Sequence, residues 1–240
     1  MPYSDLCREK ILSENYHDFI VSDIRMPFLQ DMLEKDCCLQ NPGFFYQCAY
    51  LSKSVIKPVS LENYSYFSIP KCYSLLSMQA LNQAGILPIQ NHSTIQLSGK
   101  QVMIGFLDTG IDYQNPVFQH LDKTTRIAGI WDQTIQSGTP PESFDYGSHY
   151  TPDMINEALA SEDPYSLVPS VDNNGHGTFL ASIAAGSGDP DAQFIGAAPE
   201  SVIAVVKLKQ AKQYLRDYYF IPNTAPAFQE NDIMLGMRYL

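Results

Sequence analysis

Two apolar runs constrain what this chain can fold into. Gln101–Gly110 reads QVMIGFLDTG and Ser201–Lys209 reads SVIAVVKLK. Each is nearly continuous rather than alternating, which is the pattern of a strand buried on both faces of a parallel sheet. Between them lies Thr178–Ala185, TFLASIAA, a run of helix length, rich in small residues and closed by Gly186. Arg126–Gln133, RIAGIWDQ, reads as a further strand. Met78–Ile86 and Glu230–Leu240 read as helices, the first stopped by Gly85. Strands alternating with helices predict an α/β fold with a parallel sheet flanked by helices. The stretch from Asp112 to Val171 gives few other regular signals, and Gln210–Gln229 reads as an excursion.

The first 70 residues have a different texture and predict a small α/β unit of their own. Asp18–Asp23 reads as a strand. Met26–Leu39 reads as a helix, with Phe28, Leu29, Met32 and Leu33 at helical spacing and Pro27 suited to a first turn. Asn41-Pro42-Gly43 marks a turn. FFYQCAYL and SVIKPVS read as two strands, and YSYFSIP as an extended tail. The expected division is therefore 1–70 and 71–240, and 240 residues suffice for two such units.

Charge and cysteine usage narrow the function. The formal net charge is −11 with no basic cluster, so a nucleic-acid partner is not expected. No apolar run approaches the ~18 residues of a membrane span. The start, MPYSDLCREKILSENYHDFI, lacks the basic and apolar regions of a secretory signal. Cys7, Cys37, Cys38, Cys48 and Cys72 are odd in number, include an adjacent pair and show no CxxC spacing. Neither a disulfide framework nor a zinc site is expected from that spacing, and reduced intracellular thiols fit better.

Chemistry can gather at the carboxyl ends of parallel strands. Asp108 stands at such an end, followed by the tight exit Thr109-Gly110. Alone, it reads first as a turn or helix-cap residue. His176 sits between Gly175 and Gly177 at the start of a helix, an accessible place where the helix dipole disfavours the imidazolium and keeps a base neutral. His17, His92, His120 and His149 lie in unpatterned polar stretches and are expected at the surface, and Trp131 in the core.

Taken together, GFLDTGID at 105–112, NNGHGTFLASIAAG at 173–186 and IGAAPESVIAVVKL at 195–208 resemble the aspartate motif, the histidine motif and the following segment of the subtilisin-like serine proteases, the subtilase family (peptidase S8). The order Asp then His matches that family's Asp-His-Ser order. The insertions Trp131–Ser170 and Gln210–Gln229 resemble the intracellular clostridial branch that includes germination proteases. The resemblance implies a serine endopeptidase in which His176 is the general base and Asp108 orients it. It implies peptide or protein substrates and a cytoplasmic or spore-associated setting. Residues 1–70 would be a prodomain, a partner of the catalytic part, cleaved within Tyr64–Leu76; the alternative is an ordinary N-terminal domain that is never cleaved. The family's Gly-Thr-Ser is absent: the sequence has Gly138-Thr139-Pro140 and Gly177-Thr178-Phe179. The serine and the oxyanion donor are therefore expected beyond Leu240, and the 240 residues alone are expected to be inactive. Phe179 and Leu180 stand where many members carry His and Val. No cofactor is expected. Calcium is the one candidate, but Val117 stands where the family's strong site has an acidic residue, and Gly188-Asp189-Pro190-Asp191 offers only loop oxygens. Two other readings remain. One is a non-catalytic subtilase-like regulatory or binding scaffold. The other is an aspartic protease, disfavoured because Asp-Thr-Gly occurs once and that chemistry needs a carboxylate pair.

Overall fold

The computed structural model describes residues 5–22, 36–43, 45–73, 98–188 and 195–240. In chain order its elements are α1 (Asp5–Leu12), β1 (Tyr16–Ser22), β2 (Cys37–Gly43), β3 (Tyr46–Ser52), β4 (Cys72–Tyr73), β5 (Met103–Asp108), β6 (Ile127–Asp132), β7 (Ser148–Tyr150), α2 (Pro152–Ala160), α3 (Pro164–Leu167), α4 (His176–Ala185), β8 (Val202–Lys207), α5 (Gln213–Tyr218), β9 (Phe228–Gln229) and α6 (Glu230–Tyr239). They divide between two compact units. The helix expected at Met78–Ile86, and residues 26–35 of the one expected at Met26–Leu39, lie outside the described residues.

The first unit takes the described parts of Met1–Ser74, Thr139–Gly147 and Lys209–Tyr239. Its sheet has the order β1-β3-β2, antiparallel throughout. Alternation builds it: Phe19, Ala49 and Leu51 are buried on one side, with Ile56, Val59 and Tyr64 packed against them. Cys37–Leu39 pairs with β3 as strand rather than ending a helix, because sheet pairing overrides the helical spacing that begins at Phe28. The strand expected in SVIKPVS is instead a run of turns. Pro58 lacks the N–H a ladder needs, and Ile56 and Val59 satisfy their apolarity by packing against the sheet. Cys7 on α1 and Cys38 on β2 form a disulfide, contrary to the expectation of reduced thiols, and Cys37, Cys48 and Cys72 remain as thiols. A pair 31 residues apart carries no local spacing signal, so only the packing of α1 against β2 reveals it.

A buried polar cluster joins the distant segments of this unit. Asp18 on β1 is 1% exposed. It pairs with Lys212 Nζ at 2.5 Å and accepts from Gln229 Nε2 at 2.7 Å and Asn231 Nδ2 at 3.0 Å. Asp232, fully buried, pairs with Lys209 at 2.6 Å and accepts from the Tyr146 hydroxyl at 2.9 Å. Burial pushes the Asp232 carboxyl up and the Lys212 ammonium down from their ordinary values, partly offset by their ionic partners. The excursion read at Gln210–Gln229 thus belongs to the packing of this unit.

The second unit carries a four-stranded sheet in the order β5-β8-β6-β7. β5, β8 and β6 run parallel, and the short edge strand β7 is antiparallel to β6. This is the α/β parallel sheet flanked by helices that the apolar runs predict. Ile203 and Val205 of β8 are fully buried, as a central strand requires, and pack with Ile111, Phe118 and Ile130. Trp131 is fully buried. Helix α2 carries a start signal in its sequence: Thr151 as N-cap, Pro152 in the first turn and Asp153 beside the positive end of the dipole. His17 and His149 are half-buried rather than surface residues, and burial lowers the pKa of each, that of His17 to about 4.

Candidate active site

The parallel register brings three charged residues to one edge of the sheet. Asp108, Lys207 and Asp132 end adjacent strands β5, β8 and β6, side by side at their carboxyl ends. Helix α4 begins beside the first of them. His176, its first residue, places Nδ1 2.8 Å from Asp108 Oδ1 across 68 residues of sequence. The two side chains keep 19% and 10% of their surface exposed, so the pair is mostly withdrawn from water. An ionised carboxylate only accepts, so the proton between them belongs to Nδ1, and the basic lone pair of the neutral ring falls on Nε2. A ring held in that tautomer can take a proton from a hydroxyl.

Close approach of α4 to the β5 turn makes this distance available. Gly177 is buried, and a Cβ there would lie 2.2 Å from the Gly110 carbonyl oxygen and 3.2 Å from Asp108 Cβ. No side chain fits. Gly175, just before the helix, has φ +82°, a left-handed conformation that glycine adopts without strain.

A third carboxylate ties the two motifs together. Asp172 Oδ1 accepts from the Gly175 amide at 2.9 Å and the Thr109 hydroxyl at 2.8 Å. Its Oδ2 accepts from the Thr178 amide at 2.9 Å and hydroxyl at 2.7 Å. The Thr178 hydroxyl in turn accepts from the Asp112 amide, and the Thr109 hydroxyl from the Gly177 amide. Burial works to raise the Asp172 pKa, but these hydrogen bonds outweigh it and hold the carboxyl below its ordinary value. One side chain therefore caps the histidine helix and anchors the aspartate turn.

Behind it stands a buried ion pair. Lys207 Nζ donates to the Val171 carbonyl at 2.8 Å and lies 3.4 Å from Asp132 Oδ2, which also accepts from Ser170 Oγ at 2.7 Å. Together they fix Ser170 and Val171, the residues leading into Asp172. At the far end of α4, Arg126 donates from its guanidinium to the carbonyls of Ala185 and Pro199, satisfying an orphan carbonyl of the helix terminus.

Sequence reasoning selected Asp108 and His176, and the structure brings these two together. It passed over Asp172, Asp132 and Lys207. Asp172 had a visible signal, a carboxylate just ahead of a helix start. The other two sit at strand ends, the places where Asp108 itself was noticed. The described residues around this pair do not include a cation site. The only described cluster with ligand potential, Cys7, Cys38 and Asp145, belongs to the first unit. The Gly188–Asp191 loop considered for calcium lies mostly outside the described residues.

Comparison with known proteins places these motifs. The profile of the subtilase family (peptidase S8) matches residues 99–231, more than half of the chain. Subtilisin-like protease SBT2.2 of Arabidopsis thaliana is 32% identical over 131 residues, 47% of this chain and 15% of the relative. Subtilisin-like protease SBT2.4 of the same plant is 32% identical over 132 residues, 46% of this chain and 15% of the relative. The solved structure of the Clostridium perfringens CspB protease matches with a TM-score of 0.50 and 35% identity, over 65% of this chain and 28% of that one. The chain thus spans only a small part of the length of the relatives it matches.

Proposed function

Because the chain belongs to the subtilase family, we propose that it carries the aspartate and histidine of a serine endopeptidase whose triad is completed by a serine beyond Leu240. The observation that carries this reading is the 2.8 Å contact between His176 Nδ1 and Asp108 Oδ1 at the carboxyl edge of the sheet. A serine hydroxyl is a weak nucleophile until a base removes its proton. In this reading His176 Nε2 takes that proton during attack on a peptide carbonyl and returns it to the leaving amine. Asp108 holds the tautomer and stabilises the imidazolium that forms. The substrates are peptides or proteins. No cofactor enters any of these steps.

The same reading makes the 240 residues inactive alone, because the nucleophile and the oxyanion donors supply the largest share of the rate enhancement. Residues 1–70 act in it as a prodomain-like unit that assists folding of the part from residue 71 onward, supported by their compact antiparallel sheet.

The test is peptide hydrolysis by two proteins: the 240-residue chain and a version extended through a Gly-Thr-Ser. The extended protein is expected to hydrolyse peptides, to lose that activity in His176→Ala and to be labelled by a serine-directed phosphonate. Turnover by the 240-residue chain that His176→Ala abolishes would overturn the placement of the serine. A folded extended protein with no turnover and no labelling would instead support the non-catalytic scaffold.

A further inference from the structure

The first unit holds a donor set that the protease reading does not use. Cys7 from α1, Cys38 from β2 and Asp145 from the 139–147 segment bring their Sγ and carboxylate oxygen atoms within 4.8 Å of one another. Three stretches of chain distant in sequence therefore converge on one point. In the structure the two sulfurs are joined, with their Cα atoms 5.5 Å apart. A disulfide is uncharged and makes no use of a carboxylate beside it. Two thiolates and a carboxylate are a different matter, because they form an anionic N/O/S-type site suited to a borderline-soft divalent cation. Zinc binds sulfur at about 2.3 Å and carboxylate oxygen at about 2.0–2.2 Å, so tetrahedral donors stand some 3.5 Å apart: once the disulfide is reduced the two sulfurs must separate to about that distance, with the carboxylate oxygen already within 4.8 Å of both.

The carboxylate is also oriented as a ligand would be. Gln40, 5% exposed, donates from Nε2 to Asp145 Oδ2 at 3.0 Å, and its own oxygen accepts from the Tyr50 hydroxyl at 3.3 Å. Such buried partners behind a ligand fix its direction and support its affinity. Lys10, on the same helix as Cys7, donates to the carbonyl of Cys37 at 3.0 Å and places a cation one residue from Cys38.

We propose that Cys7, Cys38 and Asp145 form a redox-gated binding site for a divalent cation of the zinc type, closed as a disulfide when oxidised and open to metal when reduced. A dithiol reductant supplies two electrons and two protons to the Cys7–Cys38 bond and leaves as its own disulfide. The S–S bond breaks to give two thiols. Metal binding then displaces the two thiol protons, and water completes the coordination. The disulfide links α1 to β2, and the metal-bound form would tie the 139–147 segment to both, so the unit keeps an α1–β2 cross-link in both states.

The experiment uses the 240-residue protein, oxidised and phosphine-reduced under anaerobic conditions, titrated with Co2+ and then back-titrated with Zn2+. The reduced protein is expected to bind one Co2+ with sulfur-to-cobalt charge-transfer absorption and tetrahedral d–d intensity, both displaced by Zn2+. The oxidised protein is expected to show neither. Asp145→Asn should weaken binding about tenfold or more, and Cys7→Ser should abolish the charge-transfer band. Cys37→Ser should bind as the unsubstituted protein does. Because Cys38 is buried and Cys38→Ser could disturb folding, the part-exposed Asp145→Asn and Cys37→Ser variants decide the matter. A reduced protein without the charge-transfer band, equal binding in both redox states, unchanged affinity in Asp145→Asn, or binding lost in Cys37→Ser would each overturn the proposal.

Discussion

Gly177→Ala is the substitution most directly aimed at the His176–Asp108 geometry. A Cβ on residue 177 would sit 2.2 Å from the Gly110 carbonyl oxygen, where real Cβ atoms do not come within 3.0 Å. The obstacle is backbone, so no side chain can swing away. About 0.8 Å of separation must open between α4 and the turn after β5, and the neighbouring 3.2 Å approach to Asp108 Cβ gives no relief. Moved by that amount, the 2.8 Å contact lengthens to about 3.6 Å, which is no longer a hydrogen bond. Overpacking of this kind costs about 1–3 kcal/mol of stability. A misplacement near 1 Å in a catalytic group costs about 100-fold in rate. Two measurements check this: the urea midpoint of the 240-residue protein, and kcat/KM of the protein extended through Gly-Thr-Ser. Gly175→Ala is the control. It meets nothing within 4 Å but is forced to hold φ +82°, so it should cost about 1–2 kcal/mol of stability with little effect on rate. If Gly177→Ala leaves both quantities unchanged, or if the two substitutions lower kcat/KM equally, close approach of α4 does not set the His–Asp distance.

Three further outcomes are expected. Asp172→Ala strips the cap from α4 and the anchor from Thr109, and should lower stability by about 1–3 kcal/mol and lower kcat in the extended protein more than it raises KM. Lys212→Met leaves Asp18 buried without its cation and should destabilise by about 3–5 kcal/mol, read as a shifted urea midpoint with unchanged slope. His17 is held neutral by burial, and its ring nitrogens have no hydrogen-bond partner among the described residues. Its pKa is about 4 when folded and near the ordinary 6.5 when unfolded. The unfolded chain therefore binds a proton first as pH falls, and this contribution to stability is complete above pH 6.5 and drains away towards pH 4. His17→Phe, which can still stack on Tyr214, should flatten stability against pH across that window.

The parts of the fold written in continuous apolar runs were legible. β6 and β8 are buried along most of their length, where hydrophobic residues serve best, and α4 announces itself by small residues and a closing glycine. β5 carries the same kind of run but lies at one side of the described sheet, and its Met103 and Gly105 are exposed rather than buried on both faces. The pairing of Asp108 with His176 was legible only through motif resemblance, since no property of either residue points 68 positions along the chain. What was missed divides by cause. Helix α2 carries Thr151, Pro152 and Asp153 at its start and Met154, Ile155, Ala158 and Leu159 at helical spacing, but at nine residues its signal is short and the surrounding stretch lacks rhythm, so it went unread. SVIKPVS was read as a strand because packing against a sheet and membership of one demand similar residues. Asp18, Lys212, Asn231 and Asp232 look like ordinary surface residues in sequence. Their burial follows from partners that lie up to 213 positions away, and polar residues carry no periodic mark of being inside.

That buried cluster also sets a schedule. β1, β2 and β3 are complete as sequence once Ser52 has been made, and their antiparallel pairings are short-range. Asp18, however, meets Lys212 only 194 residues later and Asn231 after 213. At about 5–20 residues per second of synthesis, the interval is some 10–40 s. Throughout it, a nascent sheet must keep an anionic side chain solvated on a face destined to be dry. The β1-β3-β2 sheet therefore cannot finish folding until Lys212 and Asn231 have been made.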